Sequence, residues 1–259
     1  MARVHSSTVE KLLKSNGFME LKDYEEMLNE RSFLSSGIPE LDNLISNGKM
    51  KNGKPFGGFP RSAITEISGA FGCYKTTIMK RVASRPDVKA LYIDTEGSFS
   101  HEDKNNPFDM VMESNIEKIW GLVNSCLDEK LYDLIVVDSI AGATTEQEMA
   151  KGNEIAGMNM SKAKAMNQWL RGMLPHIQNS NTAVVFVNQL RDKVGLVYSD
   201  TYTPGGKALE FFPSLRLQFF APKSKLKNGV QEIRVKISKS RYGEKNQETT
   251  FKFSFKEDK

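Results

Sequence analysis

The run Gly69-Ala70-Phe71-Gly72-Cys73-Tyr74-Lys75-Thr76-Thr77 constrains this chain more than any other stretch of it. A strand-like segment, Ser62-Ala63-Ile64-Thr65-Glu66-Ile67, leads into it, and a helical one containing Ile78, Met79 and Val82 leads out. A glycine-started loop ending in Lys-Thr, set between a strand and a helix, has the order of a phosphate-binding loop. Such a loop aims backbone N–H groups and a helix N-terminus at the phosphates of a nucleotide. Lys75 would add a point charge, and the Thr76 hydroxyl would bind Mg²⁺. The pattern breaks at one place: the position before the lysine, ordinarily glycine, is Tyr74. Its side chain must point away from the phosphates, and its backbone must take a geometry that suits glycine better.

The rest of the chain supplies a frame for that loop. Apolar strand candidates are Ile64–Ile67, Ala90–Ile93, Leu134–Val137, Ala183–Val187, Leu215–Phe220 and Ile233–Ile237, with helical stretches around Thr76–Ser84, Ile116–Leu127 and Ser161–Gln178. Continuous apolar strands alternating with helices predict an α/β fold whose mostly parallel sheet is covered on both faces. Pro175 should kink or shorten the third helix. No helical stretch separates the last two strands, which read as an antiparallel extension with Gly243 near a turn. Residues 1–31 read as a small helical arm, with capping boxes at Ser7-Thr8-Val9-Glu10 and Asp23-Tyr24-Glu25-Glu26 and Gly17 as a stop. Its stripe of Val9, Leu12 and Leu13 is too thin for independence and must dock on this core or on another subunit. Residues 32–259 form the core, with long polar loops over about 141–161 and 191–209.

Composition closes off several classes of protein. The 259 residues are 39% hydrophobic and 26% charged, which suits a soluble folded chain. No apolar stretch approaches the roughly 20 residues that cross a bilayer, and Met1–Ser6 has no apolar core of the signal-peptide kind. Cys73 and Cys126 read as free thiols of a reducing cytoplasm, and His5, His101 and His176 are too scattered for a transition-metal site. The net charge is +4, with 11 Lys/Arg against 5 Asp/Glu after Phe220, a balance compatible either with polyanion binding or with a solvated face.

Three strand ends carry further chemistry. Leu134-Ile135-Val136-Val137-Asp138-Ser139 ends an apolar strand in an acid, placing a carboxylate where it can orient Mg²⁺ beside the phosphates. Leu91-Tyr92-Ile93-Asp94-Thr95-Glu96-Gly97 ends another in two acids, and Glu96 is placed to polarise an attacking water. Val185-Phe186-Val187-Asn188-Gln189-Leu190 ends a third in an amide pair, from which Gln189 could hydrogen-bond the terminal phosphate. With the loop itself, four strand ends meet on one edge of the sheet, where open α/β sheets bind ligands.

In that order the motifs resemble the RecA family of ATP-dependent strand-exchange recombinases, from about Phe33 to Phe255. The resemblance rests on Gly69…Lys75-Thr76-Thr77, Ile93-Asp94-Thr95-Glu96, Val136-Val137-Asp138-Ser139, Asn188-Gln189, Gly205-Gly206-Lys207-Ala208-Leu209 and Lys239-Ser240-Arg241. The aromatic residue in the loop and the Lys-Ser-Arg triplet look most like the phage branch, typified by the UvsX recombinases. The resemblance implies a helical filament of this chain on single-stranded DNA, with ATP and Mg²⁺, that pairs with homologous duplex DNA. It also implies a single-strand-binding protein and a mediator as partners, and the cytoplasm of a bacterial host as the location.

By the same resemblance, the loop 69–77 holds ATP, Thr76 and Asp138 hold Mg²⁺, and Glu96 activates water. Gln189 couples the terminal phosphate to a second DNA-binding loop, roughly Asp192–Pro204. The first DNA-binding loop lies near Met149–Met160, where Met158 or Met160 wedges between bases. Arg191, Lys193, Gly205, Gly206 and Lys207 belong to the DNA-binding set. Lys239 and Arg241 reach the nucleotide of the adjacent subunit, and Phe211 sits at the same interface. Two departures stand beside Tyr74: Lys207 replaces the usual asparagine, and the chain stops soon after the last core strand, so the bacterial C-terminal domain is expected to be missing. A RecA-fold helicase motor and a weakly catalytic accessory paralogue are the competing readings.

Overall fold

The apolar runs assemble as a single eight-stranded sheet, seen in a computed structural model that describes residues 15, 32–47, 50–51, 54–55, 57–100, 105–151, 158–192, 201–222 and 228–255. The chain divides into two units, residues 1–32 and 33–259. Apart from Ser15 and Ser32, the first unit, with its expected helical arm, lies outside the described residues.

In the second unit, the short strands β1 (Phe33–Leu34), β2 (Met50–Lys51), β3 (Lys54–Pro55) and β4 (Phe59–Pro60) precede the sheet, and helix α1 spans Pro39–Ser46. The sheet itself comprises β5 (Ala63–Gly69), β6 (Ala90–Asp94), β7 (Asp109–Met112), β8 (Leu134–Asp138), β9 (Ala183–Gln189), β12 (Leu215–Phe220), β13 (Val230–Ser240) and β14 (Glu248–Ser254). A two-stranded ribbon of β10 (Arg191–Asp192) and β11 (Thr201–Tyr202) stands apart from it. Helices α2 (Lys75–Ala83), α3 (Ile116–Asp128), α4 (Glu146–Lys151), α5 (Met158–Gln178) and α6 (Ala208–Phe211) complete the order.

The strand order is β14-β13-β12-β5-β9-β8-β6-β7, parallel from β12 to β7 and antiparallel across β12-β13-β14. Alternation along each strand sends side chains to two separate cores. Leu134 and Val136 of β8 join Ile78, Met79 and Val82 of α2, while Ile135 and Val137 join α3 and α5 on the opposite face. There Trp169 is fully buried with its ring 5.2 Å from that of Phe186. Truncating such a side chain to alanine costs about 3–5 kcal/mol.

Several sequence expectations are corrected. The loop expected over 141–161 contains α4, and α5 begins at Met158, so Met158 and Met160 have helical backbone. The loop expected over 191–209 contains the β10–β11 ribbon and the start of α6. Pro175 does not shorten α5, which continues to Gln178, because tertiary packing of Met166, Trp169, Leu170, Met173 and Ile177 outweighs one lost backbone bond. Two sheet strands, β7 and β14, and helix α1 were not expected at all.

Among the described residues, no helix is long and apolar enough to cross a membrane. Both cysteines are free and buried. His176 pairs with Asp128 at 2.6 Å.

Candidate nucleotide site

Because β5, β6, β8 and β9 run parallel, their C-terminal ends meet along one edge. Asp94 stands opposite Asp138, and Gly69 opposite Gln189. A pocket of about 220 Å³ opens there, with Lys75, Thr76, Glu96, Asp138, Ser139 and Gln189 in its wall.

The loop 69–77 is tight at its base. A side chain on Gly69 would come within 2.5 Å of the Phe219 carbonyl and of Cys73 Sγ, so the close approach of strand and loop needs glycine there. Lys75 is buried, and its Nζ donates to the carbonyls of Gly69 at 3.0 Å and Ala70 at 2.9 Å. It also lies 3.4 Å from Cys73 Sγ. Burial nonetheless pushes the Cys73 thiol pKa up, the lysine opposing it. Ala70, Phe71, Gly72 and Thr77 are exposed at the rim of the loop.

Tyr74 caps α2 with φ 62° and ψ 21°, the left-handed conformation the sequence demanded of it. That conformation costs a non-glycine residue roughly 1–2 kcal/mol. Its ring points out of the loop and packs on Phe255, with centroids 4.8 Å apart.

The Tyr92 hydroxyl donates to the Asp138 carboxylate at 2.6 Å, and the Thr76 hydroxyl lies beside the same carboxylate in the pocket wall. Burial pushes the Asp138 pKa up from the ordinary aspartate value; the Tyr92 and Thr76 hydroxyls oppose the rise, and the nearby Glu96 charge adds to it. A hydroxyl and a carboxylate side by side form a hard oxygen donor set that suits Mg²⁺. Together with a helix N-terminus and an open loop, they fit a nucleotide carrying that ion.

The segment bearing Glu96 is shaped by Asp94. This buried carboxylate accepts from the backbone N–H of Glu96 at 3.0 Å and of Phe99 at 3.1 Å. Glu96 is thereby turned outward, and its Oε1 accepts from Gln189 Nε2 at 3.0 Å and from the Ser139 hydroxyl. Gly142 covers this acid; a side chain there would come 2.5 Å from Glu96 Cγ.

The remaining predicted residues lie elsewhere. Lys239 Nζ donates to the Glu210 and Phe211 carbonyls at 2.9 and 2.6 Å, at the end of α6. Arg241 is exposed, and neither cation lines the pocket. Burial and the neighbouring Arg241 and Arg216 charges lower the Lys239 pKa. Phe211 is 65% exposed. Arg191 is exposed in the ribbon, Lys207 is exposed at the start of α6, and Gly205 and Gly206 both take positive φ. Lys193 lies outside the described residues, and Met149 is exposed on α4.

Sequence reasoning missed a buried polar bridge beneath the site. Glu66 is fully buried in β5, where it accepts from Arg216 Nε at 2.5 Å and from Asn188 Nδ2 at 3.1 Å. Asn188 also donates to the Pro204 carbonyl at 2.9 Å, tying the strand end to the chain that follows the ribbon. The signal was present: a lone glutamate inside an apolar strand must have a partner. Lys162 was missed as well; its Nζ donates to the Ala141 and Ala143 carbonyls at 3.0 and 2.6 Å.

Comparison with known proteins gives a consistent result. Residues 7–258 match the RecA N-terminal domain. The chain is 30% identical to Protein RecA of Mycoplasma mycoides over 242 residues, covering 85% of this chain and 69% of that protein. It is 30% identical to Protein RecA of Chlorobaculum parvum over 223 residues, 81% of this chain but 60% of that protein. Protein RecA of Phytoplasma mali is 31% identical over 241 residues, covering 85% and 70% of the two chains. Among solved structures, the RadB recombinase aligns over 85% of this chain and 95% of its own, with a TM-score of 0.59 and 19% identity, a likeness of fold.

Proposed function

The chain belongs to the RecA family and has its α/β fold, and on that premise we propose that it is an ATP-dependent DNA recombinase. It assembles as a helical filament on single-stranded DNA and promotes pairing and strand exchange with a homologous duplex. The observation that carries this reading is the meeting of Glu96, Gln189 and Ser139 in one hydrogen-bonded cluster beside the Thr76–Asp138 pair.

Bound ATP–Mg²⁺ supplies the terminal phosphoryl group and neutralises its developing charge. Lys75 and the loop N–H groups hold the phosphates, and Thr76 and Asp138 hold the cation. Glu96 Oε1 accepts a proton from the attacking water. Gln189, bonded to that same oxygen, senses the terminal phosphate and passes the change toward residues 191–209. There Arg191, Lys193, Gly205, Gly206 and Lys207 contact DNA, as do Met158 and Met160 at the start of α5. Lys239 and Arg241 act on the nucleotide of the neighbouring copy, so turnover depends on assembly.

Residues 1–31 form the subunit-contact arm and 32–259 the ATPase core. The resemblance of Tyr74 and Lys239-Ser240-Arg241 to the phage branch supports a phage-type recombinase, working in a bacterial cytoplasm with a single-strand-binding protein and a mediator. The test is strand exchange between a circular single strand and its homologous linear duplex, with electron microscopy of the DNA complex. Joint molecules and regular filaments that both require ATP support the reading; DNA binding without either contradicts it.

One observation favours a second reading. The left-handed Tyr74 in place of glycine suits an accessory paralogue that binds nucleotide with little turnover.

A further inference from the structure

Phe255 lies far from the phosphate loop in sequence, yet it is the residue on which Tyr74 rests. The two rings meet with centroids 4.8 Å apart and planes inclined by 52°. Phe255 is itself fixed by contacts that do not involve the loop. Its ring meets that of the buried Phe253 edge-on at 5.1 Å, and its backbone N–H donates to the Gly229 carbonyl at 2.8 Å. Arg81, on the helix that Tyr74 caps, donates to the Ser254 carbonyl at 3.1 Å and stacks over Phe253 at 5.3 Å. The end of β14 and the residue after it thus grip α2 at its body and at its N-cap.

That grip matters because of the backbone at Tyr74. Its positive φ is the turn that brings the chain from Cys73 into the first residue of the helix, and its carbonyl accepts the first helical bond from Ile78 at 3.0 Å. Glycine holds such a turn unaided, whereas tyrosine is drawn toward right-handed or extended backbone. Either relaxation would re-aim Lys75 and the loop N–H groups. A ring held from outside the loop opposes it.

We propose that Phe255 is a positioning residue for nucleotide binding, seating the Tyr74 ring so that the loop keeps the left-handed turn that glycine ordinarily provides. The proposal rests on the nucleotide reading of the pocket. It assigns Phe255, just after β14, a role in the phosphate site, whose wall it does not line.

The test is a double-mutant cycle read by titration of a fluorescent, non-hydrolysable ATP analogue with Mg²⁺, below the melting temperature of every variant. F255A is expected to weaken binding roughly three- to tenfold, the scale of one aromatic pair. F255Y, which keeps a ring, should recover most of the affinity. In the Y74G background, F255A should change affinity by less than about twofold, because glycine no longer needs the support. Should F255A not fold, F255L takes its place, keeping bulk without the ring. Equal weakening in both backgrounds would mean that Phe255 acts through the general fold and would overturn the proposal. So would unaltered binding by F255A beside a wild type that binds. A folded wild type that binds no analogue would overturn the nucleotide reading, and this proposal with it.

Discussion

The side-chain amide of Gln189 donates to the Glu96 carboxylate at 3.0 Å. The bond spans the end of β8, joining the end of β9 to the turn after β6, and Ser139 of the intervening strand end donates to the same oxygen. A carboxylate held by two donors is fixed in one rotamer, which a base needs in order to meet its water.

Replacing Glu96 by Gln keeps the shape and removes the proposed base. ATP turnover should fall by about 10²–10⁴-fold, while the ATP analogue still binds. Steady-state hydrolysis beside equilibrium titration checks this. Undiminished turnover would remove Glu96 from the mechanism.

Asp138 links stability to pH. Burial raises its pKa in the folded chain, so the fold holds this proton to higher pH than the unfolded chain does. Its stabilising contribution is therefore present below the ordinary aspartate value and is lost as pH rises through the raised one. Asp138→Asn cannot ionise and should be more stable than wild type above that window, yet should lose Mg²⁺-dependent nucleotide binding. Urea unfolding from pH 4 to 8 without nucleotide reads the first part, and parallel stability curves would refute it.

The Glu66–Arg216 pair should behave as a buried ion pair. Arg216→Ala leaves the fully buried Glu66 charge without its cation, an expected loss of about 3–5 kcal/mol. Glu66→Gln together with Arg216→Met should cost much less, since no charge remains. Denaturant unfolding of the two variants decides it; equal losses would show that the charge itself is unimportant.

Lys162 ties the start of α5 to the turn after β8. Burial lowers its pKa, with Glu148 opposing and Arg191 reinforcing the shift. Lys162→Met removes two charge-assisted bonds and should cost about 1–3 kcal/mol, or about 2–10 °C in Tm. Because Gly142 in that turn covers Glu96, turnover should fall more than the loss of folded protein explains.

The elements legible in sequence were those with a strong physical signature. Leu134–Val137 is apolar throughout because both of its faces are covered, and the acid that follows, Asp138, stood out against that run. Tyr74 announced its left-handed backbone by occupying a glycine position. What escaped had a weaker pattern. β7 is an edge strand of only four residues, three of them apolar but none buried, and β14 shows its alternation only across polar Thr249, Thr250 and Lys252. Met158 and Met160 read as loop because glycine and asparagine precede them, whereas the helix of Trp169 and Leu170 extends back to include them. The roles of Asn188 and Arg216 depend on contacts between strands distant in sequence, which no local spacing reveals.

The proposed reaction is nucleotide hydrolysis that answers to DNA. Its most direct test is ATP hydrolysis by the full chain with and without single-stranded DNA, with Lys75→Ala as the blank. Turnover should be strongly stimulated by DNA and abolished in the variant. Nucleotide binding with no turnover under either condition would contradict it.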